Sequence, residues 1–253
     1  MRYRKIFIAT HLLGLSYNKR IDGILCNRKM EEVRRFHNLV KRNLIEHTVR
    51  PGDRVLDVGC GTGGDVHKWK RMSVHVDMCD PNPTSVEEAQ RRVEGWNSCR
   101  VFHGDILNSP QERYNVICYN FSIQYIFKTR DFFTQSVKGI VDRLAPRGTV
   151  IGCVPNSDMI LMFPNFKDHL GNFMIRKHDT TGSGNWGEKL YVQLADTPFY
   201  KDGPKSEPIA YKDILVQEFR NYGVDLVCWS PFEPRYDISK MYCYFIFTNN
   251  YND

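Results

Sequence analysis

The feature that most constrains this chain is a glycine-rich run between an apolar segment and a helix. Val55 to Val58 predicts a buried strand, and the next seven residues, Gly59 to Asp65, contain four glycines. Glycine lets a turn adopt positive backbone dihedrals and lets a ligand approach the main chain, while the helix that follows presents free N–H groups. The run therefore predicts an α/β unit with a ligand-binding turn. A tight turn without a ligand, in some other α/β protein, is the alternative.

Strands and helices alternate around this turn. A helix is predicted over 31–47, further strands over 74–79, 100–103, 114–119 and 149–154, and helices over 85–93 and 131–144. Such alternation predicts a parallel sheet with right-handed crossovers. Later strands are expected at 189–194, 226–229 and 241–248 around a helix at 212–222. The predicted fold is therefore α/β, with a mostly parallel seven-stranded sheet, flanking helices and an antiparallel C-terminal edge.

The length of the chain fits one α/β domain with insertions. We expect a single domain over residues 1–253, with an N-terminal arm over 1–30 and an insertion over 165–210. The arm opens with basic residues and an apolar stretch, as a signal peptide does, but no small-residue cleavage site follows. Four glycines and many polar side chains between 171 and 187 break the alternation and predict a loop.

Composition narrows the class of protein. A hydrophobic content of 42% with 25% charged residues is typical of a globular protein with a sizeable core. The eight cysteines are scattered without a C-x-x-C pair, which favours free thiols in a reducing intracellular compartment and no metal site. No segment approaches the roughly 18 apolar residues of a membrane span. The net charge of +6 favours a polyanionic partner, although a solvated surface explains it equally well.

Acidic residues follow successive predicted strands. Asp80 ends the second strand, about 20 residues after the glycine turn, which suits a pair of ribose hydroxyls. Asp105 follows the third strand and could accept from an adenine amino group. The G-C-G-x-G-G turn differs from the dehydrogenase G-x-G-x-x-G, and with Asp57 before it the turn looks like methyltransferase motif I. We therefore expect S-adenosylmethionine as the cofactor, with Gly59 and Gly61 against its methionine and ribose portions.

A lysine before this motif is a further candidate. Lys41 lies on the predicted helix that precedes the turn, and its ammonium could meet the methionine carboxylate as a point charge. An ordinary surface lysine is the alternative.

Five segments, in chain order, resemble the messenger-RNA cap (guanine-N7) methyltransferases of eukaryotes and large DNA viruses. The resemblance runs from Tyr17 to the end of the chain. The matching segments are Tyr17-Asn18 with H-Y-N, residues 36–41 with N-N-x-I-K, residues 55–65 with V-L-D-L-G-C-G-K-G-G-D, residues 114–127 with F-D-V-I-S-x-Q-F-S-x-H-Y-x-F, and residues 144–158 with L-x-P-G-G-x-F-I-x-T-V-P-x-x-D. Five matches in order are specific, although each alone is modest.

The resemblance implies a class I methyltransferase Rossmann-like fold and methyl transfer from S-adenosylmethionine to guanine N7 of the 5′ cap, converting GpppN to m7GpppN. The cofactor-binding residues that it and the motif imply are Lys41, Asp57, Gly59, Gly61, Asp65, Asp80, Asp105, Asn120, Phe121 and Tyr125. The implied cap-binding residues are Asn18, Arg92, Gln124, Tyr125, Pro155, Glu207 and Tyr242. No catalytic acid or base is expected, because guanine N7 carries a lone pair and no proton.

The chain departs from the family's sequence at three positions. Gln124 stands where the family usually has histidine, Thr62 where it has lysine, and Asn120 where it has glutamine. An amide can still offer a donor to a guanine edge, whereas loss of the lysine removes a positive charge. The register of the family's P-E-Y segment also has two solutions: Glu207, which we prefer, and one that places Ala210 at the glutamate position.

Two other functions stay open at this point. A class I methyltransferase acting on transfer RNA, protein or a small molecule would share the turn and the acidic residues. A non-catalytic capping-complex subunit would be expected to lose the glycine turn or Asp80, and both are present. Capped RNA is the expected partner, with other capping-enzyme domains or a stimulatory subunit as further candidates if the chain is a segment of a larger capping enzyme. The resemblance implies the nucleus for a cellular protein, and the cytoplasm or virion for a viral one.

Overall fold

The computed structural model describes residues 31–167, 173–178, 185–194 and 203–250. The predicted N-terminal arm, with Asn18, lies outside the described residues. The strands are β1 Arg54–Val58, β2 His75–Asp80, β3 Cys99–His103, β4 Tyr114–Asn120, β5 Leu144–Pro155, β6 Asn165–Lys167, β7 Phe173–Lys177, β8 Lys189–Leu194, β9 Lys205–Pro208, β10 Val224–Pro231 and β11 Tyr242–Asn249. The α-helices are α1 over 31–48, α2 Val66–Trp69, α3 Pro83–Val93, α4 Arg130–Arg143, α5 Ser157–Met162 and α6 Lys212–Asn221, with 3-10 helices at Ile123–Lys128 and Asp237–Met241.

The main sheet has seven strands in the order β10-β11-β5-β4-β1-β2-β3. The five strands from β5 to β3 are parallel, while β11 is antiparallel to both β5 and β10. The predicted fold class is therefore confirmed, including the antiparallel C-terminal edge. Parallel strands joined by helices bring their carboxyl ends to one edge of the sheet, which places Asp80, Asn120 and Pro155 at the same edge.

The centre of the main sheet is apolar on both faces. Val55, Leu56, Val116, Ile117 and Val150 are at most 1% exposed. Successive residues of a strand point to opposite faces, so a run of buried aliphatic residues requires cover on both sides, and here the flanking helices provide it. Of these central strands, β1 and β4 were each predicted to within one residue at either end.

Helix α3 begins two residues before the predicted start at Ser85. The Asn82 side chain accepts hydrogen bonds from the N–H groups of Thr84 and Ser85, and Pro83 occupies the first helical position. Asparagine is a favourable N-cap residue, and proline at the first position has the helical φ already set. The cap fixes the start of α3 immediately after the end of β2.

A second sheet lies within the predicted insertion. Strands β6, β7, β8 and β9 pair antiparallel in chain order. The prediction of a loop from 171 to 187 is therefore wrong at Phe173–Lys177, which is β7, and Glu207 lies in β9. One face of this sheet packs into the main core through Phe173, Ile175, Leu190 and Val192.

Seven cysteines fall in the described part of the chain, and all are free. Cys79, Cys118, Cys153 and Cys243 are buried in the sheet, as expected for thiols that behave as small apolar side chains. Within the described ranges, no helix is long and apolar enough to cross a membrane.

Candidate functional site

The glycine turn after β1 has two glycines with different surroundings. Gly59 and Gly61 both have positive φ, at 74° and 54°. A Cβ at Gly59 would lie 2.4 Å from the Cβ of Ser122, whereas a Cβ at Gly61 would meet no atom within 4 Å. Gly59 is therefore required because the segment after β4 approaches the turn, with Ser122 Oγ donating to the Val58 carbonyl at 2.5 Å. At Gly61 the main chain faces open space, as a ligand-binding turn requires.

Asp80 is held by the main chain on both sides of its carboxylate. Its Oδ2 accepts from the Gly61 N–H at 2.8 Å, and its Oδ1 accepts from the Asn82 N–H at 2.9 Å. Since a carboxylate has about four lone-pair sites, these two bonds leave acceptor capacity for a ligand. The Gly104 N–H donates to the Asp80 carbonyl at 3.0 Å, which brings the next residue, Asp105, to the same edge of the sheet.

Asp65, at the end of the glycine turn, accepts hydrogen bonds from three side chains. Lys41 Nζ donates to both carboxylate oxygens at 2.8 and 3.1 Å, Asn120 Nδ2 donates to Oδ2 at 3.0 Å, and Lys68 Nζ donates to Oδ1. Although burial opposes ionisation, the two lysines lower the pKa of Asp65 to about 2. We call Lys41, Asp65, Lys68, Asp80 and Asn120 the turn cluster.

Of the two lysines in the turn cluster, the sequence indicated one and not the other. Lys41 was a sequence candidate, and the structure brings it to Asp65 from the preceding helix. Lys68 was missed, although it is 2% exposed and also donates to Asn38 Oδ1 at 3.2 Å. Its spacing of three residues from Asp65 on one helical turn was the available signal. The Asn120 amide has its Nδ2 on Asp65, and its Oδ1 is buried without a hydrogen-bond partner among the described atoms.

Asp57 lies beneath the turn and faces a tryptophan. Its Oδ2 accepts from Trp69 Nε1 at 2.9 Å, and the residue is 2% exposed. Burial and the nearby charge of Asp65 raise the pKa of Asp57 to about 7. The contact with Trp69 ties β1 to α2, so Asp57 supports the turn from below.

The Glu207 carboxylate is hydrogen-bonded to the side-chain amide of Gln124. Gln124 Nε2 donates to Glu207 Oε2 at 3.0 Å and to the Phe121 carbonyl at 3.0 Å. Both side chains are buried, Gln124 at 1% exposed and Glu207 at 5%. Because both amide hydrogens are used inside the protein, Gln124 does not have the free donor that the sequence suggested. Ala210 is 2% exposed and belongs to the apolar core, so the structure places Glu207 and not Ala210 beside Gln124.

Two tyrosines face Glu207. Burial raises the pKa of Tyr125 well above its ordinary range, and the charges of Glu207 and Asp80 add to this. Burial and Glu207 likewise raise the pKa of Tyr242. Tyr242 begins β11 and is paired with Pro155, the last residue of β5. We call Gln124, Tyr125, Glu207 and Tyr242 the Glu207 cluster.

An aromatic group lies between the two clusters. Phe121 has a positive φ of 62°, and its N–H donates to the Cys153 carbonyl at 2.7 Å. The centroid of the Phe121 ring is 5.4 Å from that of the Tyr242 ring, and the Lys41 ammonium lies 5.9 Å from the Phe121 centroid. His37, which the sequence did not single out, packs edge-on against Tyr242 at 5.2 Å and has its Nε2 3.1 Å from Ser239 Oγ. Burial, with a contribution from Lys41, lowers the pKa of His37 to about 4.

Arg92 is the sequence candidate that the structure does not bring to this site. It lies in the last turn of α3, which starts beside the carboxyl end of β2 and runs back toward the start of β3. Its guanidinium donates to Glu88 Oε1 at 2.7 Å on the exposed face of the helix. Arg92 therefore lies at the end of α3 away from the carboxyl edge of the sheet, and its binding of the cap stays a prediction.

Sequence comparison identifies relatives of one kind. The family model described as mRNA (guanine-N(7))-methyltransferase domain matches residues 8–239. The mRNA cap guanine-N(7) methyltransferase of Cryptococcus neoformans var. neoformans serotype D (strain B-3501A) is 27% identical over 213 residues, which are 73% of this chain and 30% of that protein. That of Schizosaccharomyces pombe is 26% identical over 211 residues, 75% of this chain and 55% of that protein. The chain thus spans about half or less of the length of these curated relatives.

Solved structures agree on the fold. The N-methyltransferase NodS from Bradyrhizobium japonicum WM9 has a TM-score of 0.56 and 14% identity, covering 88% of this chain and 98% of its own. The CcbJ methyltransferase from Streptomyces caelestis has a TM-score of 0.58 and 16% identity, covering 83% and 88%. At these identities the likeness shows the class I methyltransferase Rossmann-like fold alone. Because the family model covers most of the sequence, the chain belongs to the mRNA (guanine-N(7))-methyltransferase domain family.

Proposed function

We propose that this domain transfers a methyl group from S-adenosylmethionine to guanine N7 of the 5′ cap of mRNA, converting GpppN to m7GpppN. The observation that carries the proposal is that the segment from Asn120 to Gln124 joins two clusters, with the Asn120 amide on Asp65 and the Gln124 amide on Glu207. The turn cluster offers charged and amide groups beside an open glycine turn, and the Glu207 cluster offers a buried carboxylate among aromatic side chains. Family membership supports the same activity.

The residues at the turn fit S-adenosylmethionine. Its amino-acid end carries a carboxylate and an ammonium, and the turn cluster has Lys41 for the first, with Asp65 and the unpartnered Asn120 Oδ1 for the second. Asp80 has acceptor capacity for two ribose hydroxyls, and Asp105, two residues after the end of the adjacent strand β3, can accept from the adenine amino group. A ligand can lie against Gly61, where the main chain is open.

Asp57 has a supporting role in this proposal. Its carboxylate is directed at the Trp69 indole, so we assign it to holding the turn and not to direct contact with the cofactor. Gly59 acts in the same way, by admitting Ser122 close to the turn.

The chemistry demands little acid–base work from the protein. S-adenosylmethionine, when bound, supplies an electrophilic methyl group on a sulfonium sulfur. Guanine N7 has a lone pair and no proton, so the side chains need to orient the base, which can contribute roughly 7–11 kcal/mol. The raised pKa values of Tyr125 and Tyr242 keep both hydroxyls protonated at neutral pH, which suits donors and not bases. The ring faces of Phe121 and Tyr242 also suit a cationic transition state.

Glu207 is the group that we assign to guanine. A carboxylate accepts from guanine N1–H and from the exocyclic amine, a pairing worth about 1–3 kcal/mol against a wrong base. Tyr125 and Tyr242 stand next to Glu207 and supply ring faces or a hydroxyl, with Pro155 beside Tyr242. This arrangement favours a cap substrate over the transfer RNA, protein or small-molecule substrates of other class I methyltransferases.

The partner and setting follow from this activity. We propose capped RNA as the partner, with further capping-enzyme domains or a stimulatory subunit as additional ones, and residues 1–253 as one methyltransferase domain whose insertion over 165–210 serves the substrate side. An intracellular reducing compartment fits the free cysteines of the described residues: the nucleus for a cellular protein, or the cytoplasm or virion for a viral one.

The test is methyl transfer from labelled S-adenosylmethionine to three matched RNAs: GpppG-capped, m7GpppG-capped and uncapped. We expect incorporation into the GpppG-capped RNA alone, because the premethylated cap has no free N7 and the uncapped RNA has no cap guanine. Equal labelling of all three would contradict the cap assignment and leave only a methyltransferase of another substrate.

A further inference from the structure

The second sheet has one covered face and one face toward solvent. Successive residues of a strand point to opposite faces, so Glu207 and the apolar side chains of this sheet lie on the covered face, and the alternate residues of β6 to β9 lie on the other. None of these alternate residues is buried. We call them the solvent face, and its charged and aromatic members are Lys167, Arg176, Lys189 and Tyr191.

The charged side chains of the solvent face all have the same sign. Lys167, Arg176 and Lys189 are exposed, and this face of the four strands carries no aspartate or glutamate. Within the described ranges none of the three cations forms an ion pair, whereas Lys177 on the covered face is paired with Glu188 at 3.1 Å. Positive charge without a nearby acid attracts a polyanion, so the solvent face is suited to bind one.

An aromatic ring lies beside these cations. Tyr191 is two residues from Lys189 along β8 and opposite Arg176 on β7, and opposite residues on one face have Cβ atoms about 4.5–5.5 Å apart. The Tyr191 ring is half-buried, with the His178 ring edge-on to it at 5.4 Å between centroids. Cations next to an accessible ring are the combination that holds single-stranded nucleic acid, because phosphates meet the cations and a base stacks on the ring.

The solvent face begins at the strand that carries Glu207. β9 is an edge strand of the second sheet, and its consecutive residues Ser206 and Glu207 point to opposite faces. Tyr191 lies opposite Ser206, one strand further into the sheet. The proposed guanine pocket and the solvent face therefore lie on either side of one strand, close enough for a single capped RNA molecule to contact both.

Resting on the proposed function, we infer that the solvent face of the second sheet binds the single-stranded RNA that follows the cap. Lys167, Arg176 and Lys189 contact its phosphates, and Tyr191 stacks on one base. This surface accounts for part of the net charge of +6, which a guanine pocket built around one carboxylate does not use. An acidic surface of a partner protein is the competing occupant. RNA is favoured because the proposed substrate brings its own phosphates to this edge of the sheet.

The test compares two substrates that share the cap and differ in the RNA. They are the GpppG dinucleotide and a GpppG-capped RNA of about 20 nucleotides, which exceeds the roughly 4–16 nucleotides that a single-strand-binding surface contacts. The measurement is the ratio of kcat/KM for the capped RNA to kcat/KM for the dinucleotide, at salt concentrations from about 50 to about 200 mM. We expect the wild type to favour the capped RNA by at least about tenfold at the lowest salt, and less as salt rises.

The solvent-face variant combines Lys167→Gln, Arg176→Gln and Lys189→Gln. Its KM for capped RNA at low salt should rise at least about tenfold, and the slope of log KM against log salt should fall by about 2, as loss of three phosphate contacts requires. Its kcat/KM for the dinucleotide and its S-adenosylmethionine affinity should equal those of the wild type. Tyr191→Leu keeps all three charges and should raise KM for capped RNA at least about fivefold, through loss of stacking.

A matched control removes the same charge elsewhere. It combines Arg91→Gln, Lys138→Gln and Arg220→Gln, which change cations on α3, α4 and α6 whose side chains are 74%, 60% and 62% exposed. The solvent face stays intact in this variant. We expect it to keep the wild-type preference for capped RNA.

Three outcomes would overturn the inference and leave the proposed function intact. The first is equal use of the two substrates by the wild type. The second is an unchanged preference in the solvent-face variant, which would leave an acidic partner protein as the occupant of this face. The third is an equal loss in the solvent-face and control variants, which would trace the effect to net charge alone. Failure of the wild type to methylate either substrate would overturn the proposed function, and the inference with it.

Discussion

The turn cluster and the Glu207 cluster lie at one edge of one sheet, yet they are built differently. In the turn cluster, Lys41, Lys68 and Asn120 bond Asp65 while Asp80 bonds the main chain, and four of the five residues come from positions 41 to 80. The Glu207 cluster holds a single carboxylate among an amide and two tyrosines, drawn from positions 124 to 242 and from both sheets. Local turn geometry organises the first, and pairing between distant strands organises the second.

This contrast has a consequence for damage by mutation. A change at Lys41, Asp65 or Lys68 leaves a buried charge without its partner, whereas removal of the Glu207 carboxylate leaves the neutral Gln124 amide without its acceptor. We expect variants of the turn cluster to lose affinity for the cofactor, and variants of the Glu207 cluster to lose activity on capped RNA.

The largest effect is expected from Asp80→Ala. The variant loses a carboxylate with capacity for two ribose hydroxyls and also the bond to the Gly61 N–H. Hydrogen bonds to a charged group are worth about 1.5–3 kcal/mol each, so S-adenosylmethionine affinity measured by calorimetry should fall at least about 100-fold. The variant should still fold, with a circular dichroism spectrum like that of the wild type. An unchanged affinity would remove Asp80 from the cofactor site.

The second effect is expected from Glu207→Ala. Loss of an acceptor that faces guanine costs about 1–3 kcal/mol, so kcat/KM on capped RNA should fall about 10- to 100-fold while cofactor affinity stays the same. Glu207→Gln keeps the shape and one acceptor and should recover part of the loss. Full activity in Glu207→Ala, with loss of activity in both Tyr125→Ala and Tyr242→Ala, would show that the guanine edge is recognised elsewhere.

The third effect concerns acid stability. His37 has its pKa lowered from 6.5 to about 4, so the unfolded chain binds the proton more readily, and this residue costs stability as pH falls from about 6.5 to about 4. In His37→Asn, the free energy of unfolding measured by urea titration should fall less over that interval, by up to about 3 kcal/mol. Lys41, Ser239 and Tyr242, which face His37, are unchanged in the variant.

A second buried group bears on this comparison. Asp57 has its pKa raised to about 7, so its contribution has the opposite sign and favours folding as pH falls from about 7 toward 3.8. It is present in both proteins and cancels in their difference. Identical pH dependence in wild type and His37→Asn would mean that His37 becomes protonated in the folded protein.

The smallest effect is expected from Arg92→Ala. Its ion pair with Glu88 is an exposed helix pair, and such pairs contribute about 0.3–0.5 kcal/mol. Activity on capped RNA at low salt should change less than twofold, since the residue lies at the far end of α3. A fall of tenfold would indicate that RNA reaches this helix, and would support Arg92 as a phosphate contact.

The main sheet could be predicted from sequence because its strands are apolar enough to be recognised one at a time. The clearest difference between the predicted and the observed strands is the start of β5, which begins at Leu144 instead of Thr149. Pro146 and Gly148 look like a turn, and the pairing with β4 is irregular there, with a jump from Leu144 to Thr149. Arg147 within this stretch has a positive φ of 57°, so local sequence signals of a turn there could not locate the start of the strand at Leu144.

In the second sheet the sequence predicted β8 at 189–194 but not its partner strands, for a similar reason. β9 is Lys-Ser-Glu-Pro, which has no apolar alternation, and it is a strand because β8 pairs with it, placing Leu190 opposite Glu207. The family resemblance nominated Glu207, but its contact with Gln124 depends on that register. Lys68 and His37 were missed because lysines and histidines on a helix are ordinary, and only the fold buries them beside Asp65 and Ser239.

The position of β11 in the main sheet has a consequence for synthesis. It follows every other strand along the chain, yet it lies inside the sheet between β5 and β10 and carries Tyr242. On a ribosome, roughly 90 residues separate the end of β5 from β11, which takes on the order of 5–20 s to translate. During that time all residues of the turn cluster have been synthesised, whereas β5 still lacks its partner strand β11. We therefore expect that the cofactor can bind before the proposed guanine pocket is complete.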